Sequence, residues 1–340
     1  MTEETHTVSA PEAELHTGII LRVNSGLYAV QRSEPGSLPG DVVSCTLRGN
    51  LRKKFTYSTS GSQPRRVVKA KQPFNHDSAA VGDRVRFQFV DSEIGIIEEI
   101  LPRTTRFART SFRGAEQTLV TNLDQLVIVF ACAEPNPDLW RIDRWLVAAE
   151  VTGIVPLLIA NKRDKVEDSV FHAAFDEFAR IGYKVIATSA KSGLGIEELR
   201  ESLSGKISAF SGPSGVGKSS LLNALQPALR LDTGEIGEIT FKGRHTTTVR
   251  ELFPLVTGGW VADTPGLRSL EMLKMDREDL LQMFVEFRAP LEHPCRFRNC
   301  KHGNEPGCVL KAAVESGEIS KRRYESFLQL AREAEPTARH

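Results

Sequence analysis

No stretch of this 340-residue chain approaches the roughly 18 consecutive apolar residues that a helix needs to cross a bilayer. Residues 1–15 carry four glutamates and no apolar core, so they do not read as a signal peptide, and the expected location is the cytoplasm. Charge of one sign is missing too. The 44 Lys and Arg stand against 43 Asp and Glu, a formal net charge of +1, so nucleic-acid contact would require local segregation of charge. Five cysteines are too few for a disulfide framework at this length. With 40% hydrophobic and 26% charged residues and no internal repeat, the chain is not collagen-like, coiled-coil or wholly disordered. It is long enough for two or three domains with cores of their own.

The texture changes along the chain. Residues 1–14 form a polar, acidic tail that is expected to be disordered. Residues 16–100 read as short strands (18–23, 26–31, 41–47, 66–70, 83–90 and 95–100) separated by turn residues. That suits a small β-barrel, OB-type or SH3-like, and the strand pattern alone does not separate the two. From Leu126, buried strands at 126–130, 155–160, 184–187 and 206–211 alternate with helices at 138–152, 170–181, 195–203 and 219–225. Such βαβ repetition predicts a parallel sheet covered on both faces. After Met275 the chain turns helical, at 279–287 and 320–334. The expected domains are a barrel over 15–101, an α/β domain over 102–275 and a helical module over 276–340.

Gly212-Pro213-Ser214-Gly215-Val216-Gly217-Lys218-Ser219 matches G-x-x-x-x-G-K-[ST], with a buried strand before it and a helical stretch from Ser219 and Ser220 onward. The glycines let backbone N–H groups wrap a phosphate chain at a helix N-terminus. Lys218 would reach the β- and γ-phosphates and Ser219 would ligate Mg²⁺. Asn161-Lys162-Arg163-Asp164 follows another buried strand, at the sheet edge where ligands bind. A carboxylate at Asp164 accepts from the N1–H and 2-amino group of guanine, donors that adenine lacks. Asn161 would brace the loops, and the Lys162 stem would cover the base. Backbone N–H groups of Thr188-Ser189-Ala190-Lys191 suit the guanine O6. In Asp263-Thr264-Pro265-Gly266, Asp263 would hold Mg²⁺ through water and the Gly266 N–H would sense the γ-phosphate. The Gly243-Arg244-His245-Thr246-Thr247-Thr248 string supplies hydroxyls for a loop that orders on Mg²⁺ and triphosphate. Taken singly, each element also has a reading as a turn, but four of them at strand ends in one α/β unit argue against coincidence. An ATP-using P-loop enzyme is the competing class, and Asp164 argues against it.

Ordinary small GTPases place the phosphate loop first and the base-reading motifs last. Here 161–164 and 188–191 precede 212–219, and the switch strings follow, so the cyclic order is kept from a moved starting point. The next segment carries Cys295-x4-Cys300-x-His302-x5-Cys308, three thiolates and an imidazole that complete a tetrahedral set with no position left open. That composition points to structural Zn²⁺ holding a helical module. Cys45 and Cys132 stand alone in apolar runs and read as small buried hydrophobes.

A barrel, a permuted GTPase with the Gly-Arg-His-Thr-Thr-Thr and Asp-Thr-Pro-Gly-Leu strings, and a Cys-x4-Cys-x-His-x5-Cys tail together resemble the ribosome small-subunit-dependent GTPase A family. The resemblance spans about residues 16–333. It implies an OB-fold barrel, a circularly permuted α/β P-loop GTPase domain and a mostly helical zinc module. It further implies action on the 30S subunit and its 16S rRNA late in maturation, with GTP hydrolysis to GDP stimulated by that subunit and coupled to release. Nothing in the sequence demands more than a monomer.

An RNA partner has residue-level support as well. Residues 42–76 hold eight basic residues and no acidic one, among them Arg48, Arg52, Lys53, Lys54, Arg65 and Arg66, interleaved with Phe55 and Tyr57. Arg103, Arg106, Arg109 and Arg113 form a second basic stripe. Many GTPases position the attacking water with a Gln just after Asp-x-x-Gly, but Leu267 stands there and cannot. His245 is the nearest candidate for polarising water; packing near the phosphate loop is its other reading. A GTP-dependent RNA-binding factor that never turns GTP over is the alternative to an enzyme.

Overall fold

In the N-terminal half, strands of alternating burial close on themselves. The computed structural model describes residues 14–33, 40–52, 54–57, 67–71, 79–110, 116–227, 251–256, 258–263, 277–303 and 305–334. They fall into two units, 1–122 with 248–252 and 123–247 with 253–340. In the first unit, β1 (His16–Asn24), β2 (Leu27–Arg32) and β3 (Val42–Leu47) pair antiparallel in order. A separate antiparallel hairpin follows, β4 (Lys54–Tyr57) with β5 (Val67–Lys71). β6 (Arg84–Phe89) and β7 (Ile94–Ile100) complete the barrel: β7 lies parallel to β3, and β6 pairs antiparallel with both β7 and β1. The closed order β1-β2-β3-β7-β6 is that of the five-stranded OB barrel, which decides between the two barrel readings. Ile20, Val30, Cys45, Val85, Phe87 and Ile97 fill it, and burial pushes the Cys45 thiol up to about 12.

A second hairpin, β8 (Arg106–Thr110) with β9 (Glu116–Thr121), completes this unit and is not legible in the apolar pattern. It is tied down by a buried carboxylate. Asp83 accepts from Arg103 Nε at 2.7 Å and Nη2 at 2.8 Å, from Thr121 Oγ1 at 2.8 Å and from the Ala80 N–H at 2.7 Å. Arg103 is thus spent inside the unit and leaves the basic stripe that the sequence suggests. The side chains of Arg109 and Arg113 lie outside the described residues.

The second unit is built on β10 (Gln125–Ala131), α1 (Leu139–Thr152), β11 (Val155–Asn161), α2 (Asp168–Arg180), β12 (Lys184–Ala187), α3 (Ile196–Leu203), β13 (Ile207–Ser211) and α4 (Lys218–Leu225). Past residues 228–250, β14 (Glu251–Pro254) leads to β15 (Trp260–Asp263). The sheet order is β12-β11-β10-β13-β15, and every pairing among these strands is parallel. β10 is buried at all seven positions, as a central strand covered on both faces must be. Val127, Val129 and Ala131 alternate onto the face covered by Leu199 and Leu203 of α3 and Leu221 and Leu222 of α4. Asp138 caps α1, accepting the Arg141 N–H at 3.2 Å.

The chain ends in α5 (Arg277–Met283), α6 (Arg288–Leu291), α7 (Val309–Glu315) and α8 (Lys321–Ala334). The helix expected over 279–287 is broken at Phe284, whose backbone is extended (ψ 98°). The break turns both Phe284 and Phe287 inward, stacked at 4.9 Å, with Phe327 edge-on to them at 5.7 and 5.3 Å. Val147 of α1 shares that cluster, so the C-terminal helices pack on the α/β sheet's own helix. A buried ionic group reinforces the joint: Asp143 of α1 accepts from Arg323 Nη1 and Arg322 Nη1, each at 2.7 Å. Arg323 also grips Glu286 from Nε at 2.6 Å and Nη2 at 3.0 Å, and Arg322 reaches Glu177 of α2 at 2.7 Å from Nε.

Candidate nucleotide-binding and metal sites

The parallel sheet sends the predicted motifs to one edge. Residues 161–164, 188–191, 212–219 and Asp263 leave the carboxyl ends of β11, β12, β13 and β15. The phosphate loop is shaped by glycines with positive φ. Gly212 (φ 137°) lies against β10, where an added Cβ would come 2.1 Å from the Val129 oxygen. Gly217 (φ 93°) precedes α4, and a Cβ there would come 2.4 Å from Asn161 Nδ2. Lys218, buried, donates to the carbonyls of Gly212 at 2.9 Å and Pro213 at 2.7 Å, so its ammonium sits within the loop it belongs to. Ser214 and Gly215 are exposed, Val216 is buried, and Ser219 and Ser220 are half-buried on the first turn of α4.

The loops after β11 and β12 are stitched to the loop after β13 and to each other. Asn161, 1% exposed, donates from Nδ2 to the Val216 carbonyl at 2.8 Å and accepts from Thr188 Oγ1 at 3.2 Å. The Arg163 N–H bonds to the Thr188 carbonyl at 3.0 Å. Lys162 has a left-handed backbone (φ 59°), and its Nζ donates to the Gly215 carbonyl at 2.7 Å and to the carbonyl of Glu134. Asp164 is exposed. A hydrogen bond from the Ser189 hydroxyl, helped by the charges of Lys191 and Lys165, holds its carboxyl below the ordinary aspartate value. In the neighbouring loop the Thr188 and Ser189 N–H groups are used, by the Ala160 carbonyl at 2.9 Å and the Leu194 carbonyl at 3.0 Å. The N–H groups of Ala190 and Lys191 have no partner among the described residues. The O6-binding role expected of this loop therefore narrows to those two.

His245, Thr247, Thr248 and Gly266 lie outside the described residues, as does the side chain of Asp263. Of the basic set in the barrel, only the Arg48 side chain is described; it is exposed and pairs with Glu98. Arg52 and Lys54 are described in backbone alone, and Lys53, Arg65 and Arg66 lie outside the described residues. Glu134, just past β10, was not among the residues that the motifs single out. Its place at a strand's carboxyl end was the available signal.

In the C-terminal helices, one ligand atom from each of Cys295, Cys300, His302 and Cys308 lies within 4.8 Å of all the others. His302 Nδ1 stands 3.6 Å from the Cys295 sulfur and 3.5 Å from that of Cys308. A tetrahedral zinc with ordinary Zn–S and Zn–N bonds has S···N edges of about 3.6 Å, so the four residues fit such an ion. Burial raises the Cys300 thiol and lowers His302, and a bound cation would favour the thiolate. The Tyr324 hydroxyl ties this knuckle to α8, donating to the carbonyls of His302 at 2.7 Å and Gly303 at 2.8 Å. Cys132, by contrast, is buried at the end of β10, and burial pushes its thiol up to about 11, as for a small packing residue. No helix among the described residues is long and apolar enough to cross a membrane.

An OB barrel, an α/β unit in which loops 161–164 and 188–191 precede loop 212–219, and a helical tail with a Cys/His knuckle define a circularly permuted P-loop GTPase. The RsgA GTPase family profile matches residues 100–273. The small ribosomal subunit biogenesis GTPase RsgA of Moorella thermoacetica is 40% identical over 92% of this chain and 94% of its own. The crystal structure of YjeQ from Thermotoga maritima is 32% identical with a TM-score of 0.73, covering 96% of this chain and all (100%) of that one. YloQ, described as a circularly permuted GTPase, gives 30% identity and a TM-score of 0.71 over 98% of each chain. The chain belongs to the RsgA GTPase family.

Proposed function

We propose that the chain hydrolyses GTP during late maturation of the 30S subunit, binding the subunit and its 16S rRNA and coupling hydrolysis to GDP with its own release. The Asn161–Val216 bond supports this reading most directly, because it ties the loop after β11 to the loop after β13. Asp164 takes the guanine N1–H and 2-amino group, the Ala190 and Lys191 N–H groups take O6, and the Lys162 stem covers the base. Residues 212–219 and Lys218 hold the phosphates. Mg²⁺ bound with GTP would be held by Ser219, by Asp263 through water and by one of the switch hydroxyls of Thr246, Thr247 and Thr248, and would supply charge neutralisation for the phosphates.

Leu267 cannot orient water, so turnover by the chain alone is slow, on the order of 10⁻⁴–10⁻² s⁻¹. The 30S particle raises it by reshaping the switch segments, with His245 polarising the attacking water. The basic face of the barrel, Arg48, Arg52, Lys53, Lys54, Arg65 and Arg66, binds rRNA. The Cys295–Cys300–His302–Cys308 set holds one structural Zn²⁺. Within the three-part chain (barrel 15–101, GTPase 102–275, zinc module 276–340), the module directly follows the γ-phosphate sensor and reports nucleotide state to the particle. The protein works as a cytoplasmic monomer. The test is GTP turnover against rising 30S, 50S and 70S particles measured separately. Stimulation by 30S particles is expected; none would leave a GTP-dependent RNA-binding factor.

A further inference from the structure

Glu134 touches the base-reading loop at two points. Its carbonyl accepts from Lys162 Nζ and its carboxylate pairs with Lys165 Nζ, so one residue of the loop after β10 grips both sides of Asp164. Its backbone is left-handed (φ 51°), a conformation that non-glycine residues adopt rarely and that concentrates at functional sites. Lys162 shares that conformation opposite it (φ 59°). The adjoining Pro135 ring reaches the phosphate loop, with its Cδ 3.7 Å from where a Cβ on Gly215 would stand. The loop after β10 therefore abuts both halves of the nucleotide pocket, and no motif assigns it a role there.

The Lys165 ammonium is the chemistry at stake. It follows Asp164 in the 3-10 turn Arg163–Lys165, and its charge already acts on that carboxylate. A lysine free to pair with Asp164 would compete with the base for the same oxygens. The Glu134 carboxylate takes that ammonium instead, while the Glu134 carbonyl fixes Lys162 over the base.

We propose that Glu134 is a positioning residue for guanine recognition, holding Lys165 off Asp164 so that the Asp164 carboxylate stays available to the 2-amino group. This rests on the guanine reading of Asp164 given above. Inosine nucleotides isolate the effect because they lack only the 2-amino group. In the full chain, GDP, IDP and ADP affinities are measured by calorimetry for the unaltered protein, Glu134→Gln and Glu134→Gln/Lys165→Gln. Glu134 is exposed, so the variants keep the fold.

Glu134→Gln is expected to lower the GDP-over-IDP preference by about threefold, the scale of a partly exposed ion pair. Removing the freed lysine in the double variant is expected to restore the preference. An unchanged preference in Glu134→Gln, or an equal loss in the double variant, overturns the proposal while leaving the guanine reading intact. An unaltered protein that binds ADP and IDP as tightly as GDP overturns both.

Discussion

Asn161 Nδ2 donates to the Val216 carbonyl at 2.8 Å, joining the loop after β11 to the loop after β13 across 55 residues of chain. The bond is buried, so either partner left alone costs a full desolvation penalty. Asn161→Ala is expected to weaken GTP and GDP binding together by about tenfold or more. A calorimetric titration of both nucleotides checks it.

The two pocket glycines give a sharper test of backbone shape. Gly217→Ala would place a methyl 2.4 Å from Asn161 Nδ2, and Gly212→Ala would place one 2.1 Å from the Val129 carbonyl. The second contact is with backbone, which cannot move aside as a side chain can. Both variants should lose nucleotide binding, and Gly212→Ala should also show the larger fall in melting temperature.

The joint between α1 and α8 is testable by removing its buried charges singly and together. Arg323 is 1% exposed and Asp143 fully buried. Asp143→Ala therefore leaves buried guanidinium charge short of a partner, at a cost of about 3–5 kcal/mol. Asp143→Leu with Arg323→Met and Glu286→Met removes all three buried charges, leaving Arg322 to Glu177, and should recover most of that loss in denaturant unfolding. A triple variant no better than Asp143→Ala would mean that the buried charges are not the source of the effect.

The Asp164 carboxyl lies below its ordinary value, chiefly because the Ser189 hydroxyl bonds its charged form. A depressed carboxylate makes its full contribution above its ordinary pKa and loses it as pH falls through the lowered one. The GDP-over-ADP preference should therefore stay constant from about pH 8 down to about pH 5. In Ser189→Ala the pH at which it declines should move upward.

Metal removal should act on one part of the molecule. Cys295, Cys300, His302 and Cys308 lie in the segment between α6 and α7, outside the loops that follow β11, β12 and β13. Chelation, or Cys300→Ser, should lower the melting temperature and raise protease sensitivity after residue 290 while leaving GDP affinity unchanged. Elemental analysis of the purified chain should give about one zinc per molecule.

The placement of the candidate site residues was legible in the sequence: residues expected from phosphate and guanine chemistry, such as Lys218 and Asp164, come to one edge of the sheet, and the four Cys and His residues expected of a closed metal set come together. The parallel core was legible for a similar reason: seven successive buried residues in β10 cannot be an exposed strand. Barrel topology was not, since OB and SH3-like barrels share alternation, and only the parallel β3–β7 pairing separates them. Nor was the break at Phe284, because a continuous helical pattern does not reveal that two phenylalanines must face the same way. Long-range polar pairs such as Asp83–Arg103, Asp143–Arg323 and Glu134–Lys165 leave no periodic trace at all. Each looks like an ordinary surface charge until the chain is folded.

The most direct test is the base preference of the pocket and its inversion. Asp164→Asn replaces an acceptor by a group that can donate to the 2-oxo group of xanthine. The unaltered protein should bind GDP at least a hundredfold more tightly than ADP, on the order expected when a site's hydrogen-bonding groups would otherwise go unpaired. Asp164→Asn should lose GDP affinity and gain affinity for xanthosine diphosphate. Equal binding of GDP and ADP before the substitution, or an unchanged GDP affinity after it, would contradict the account.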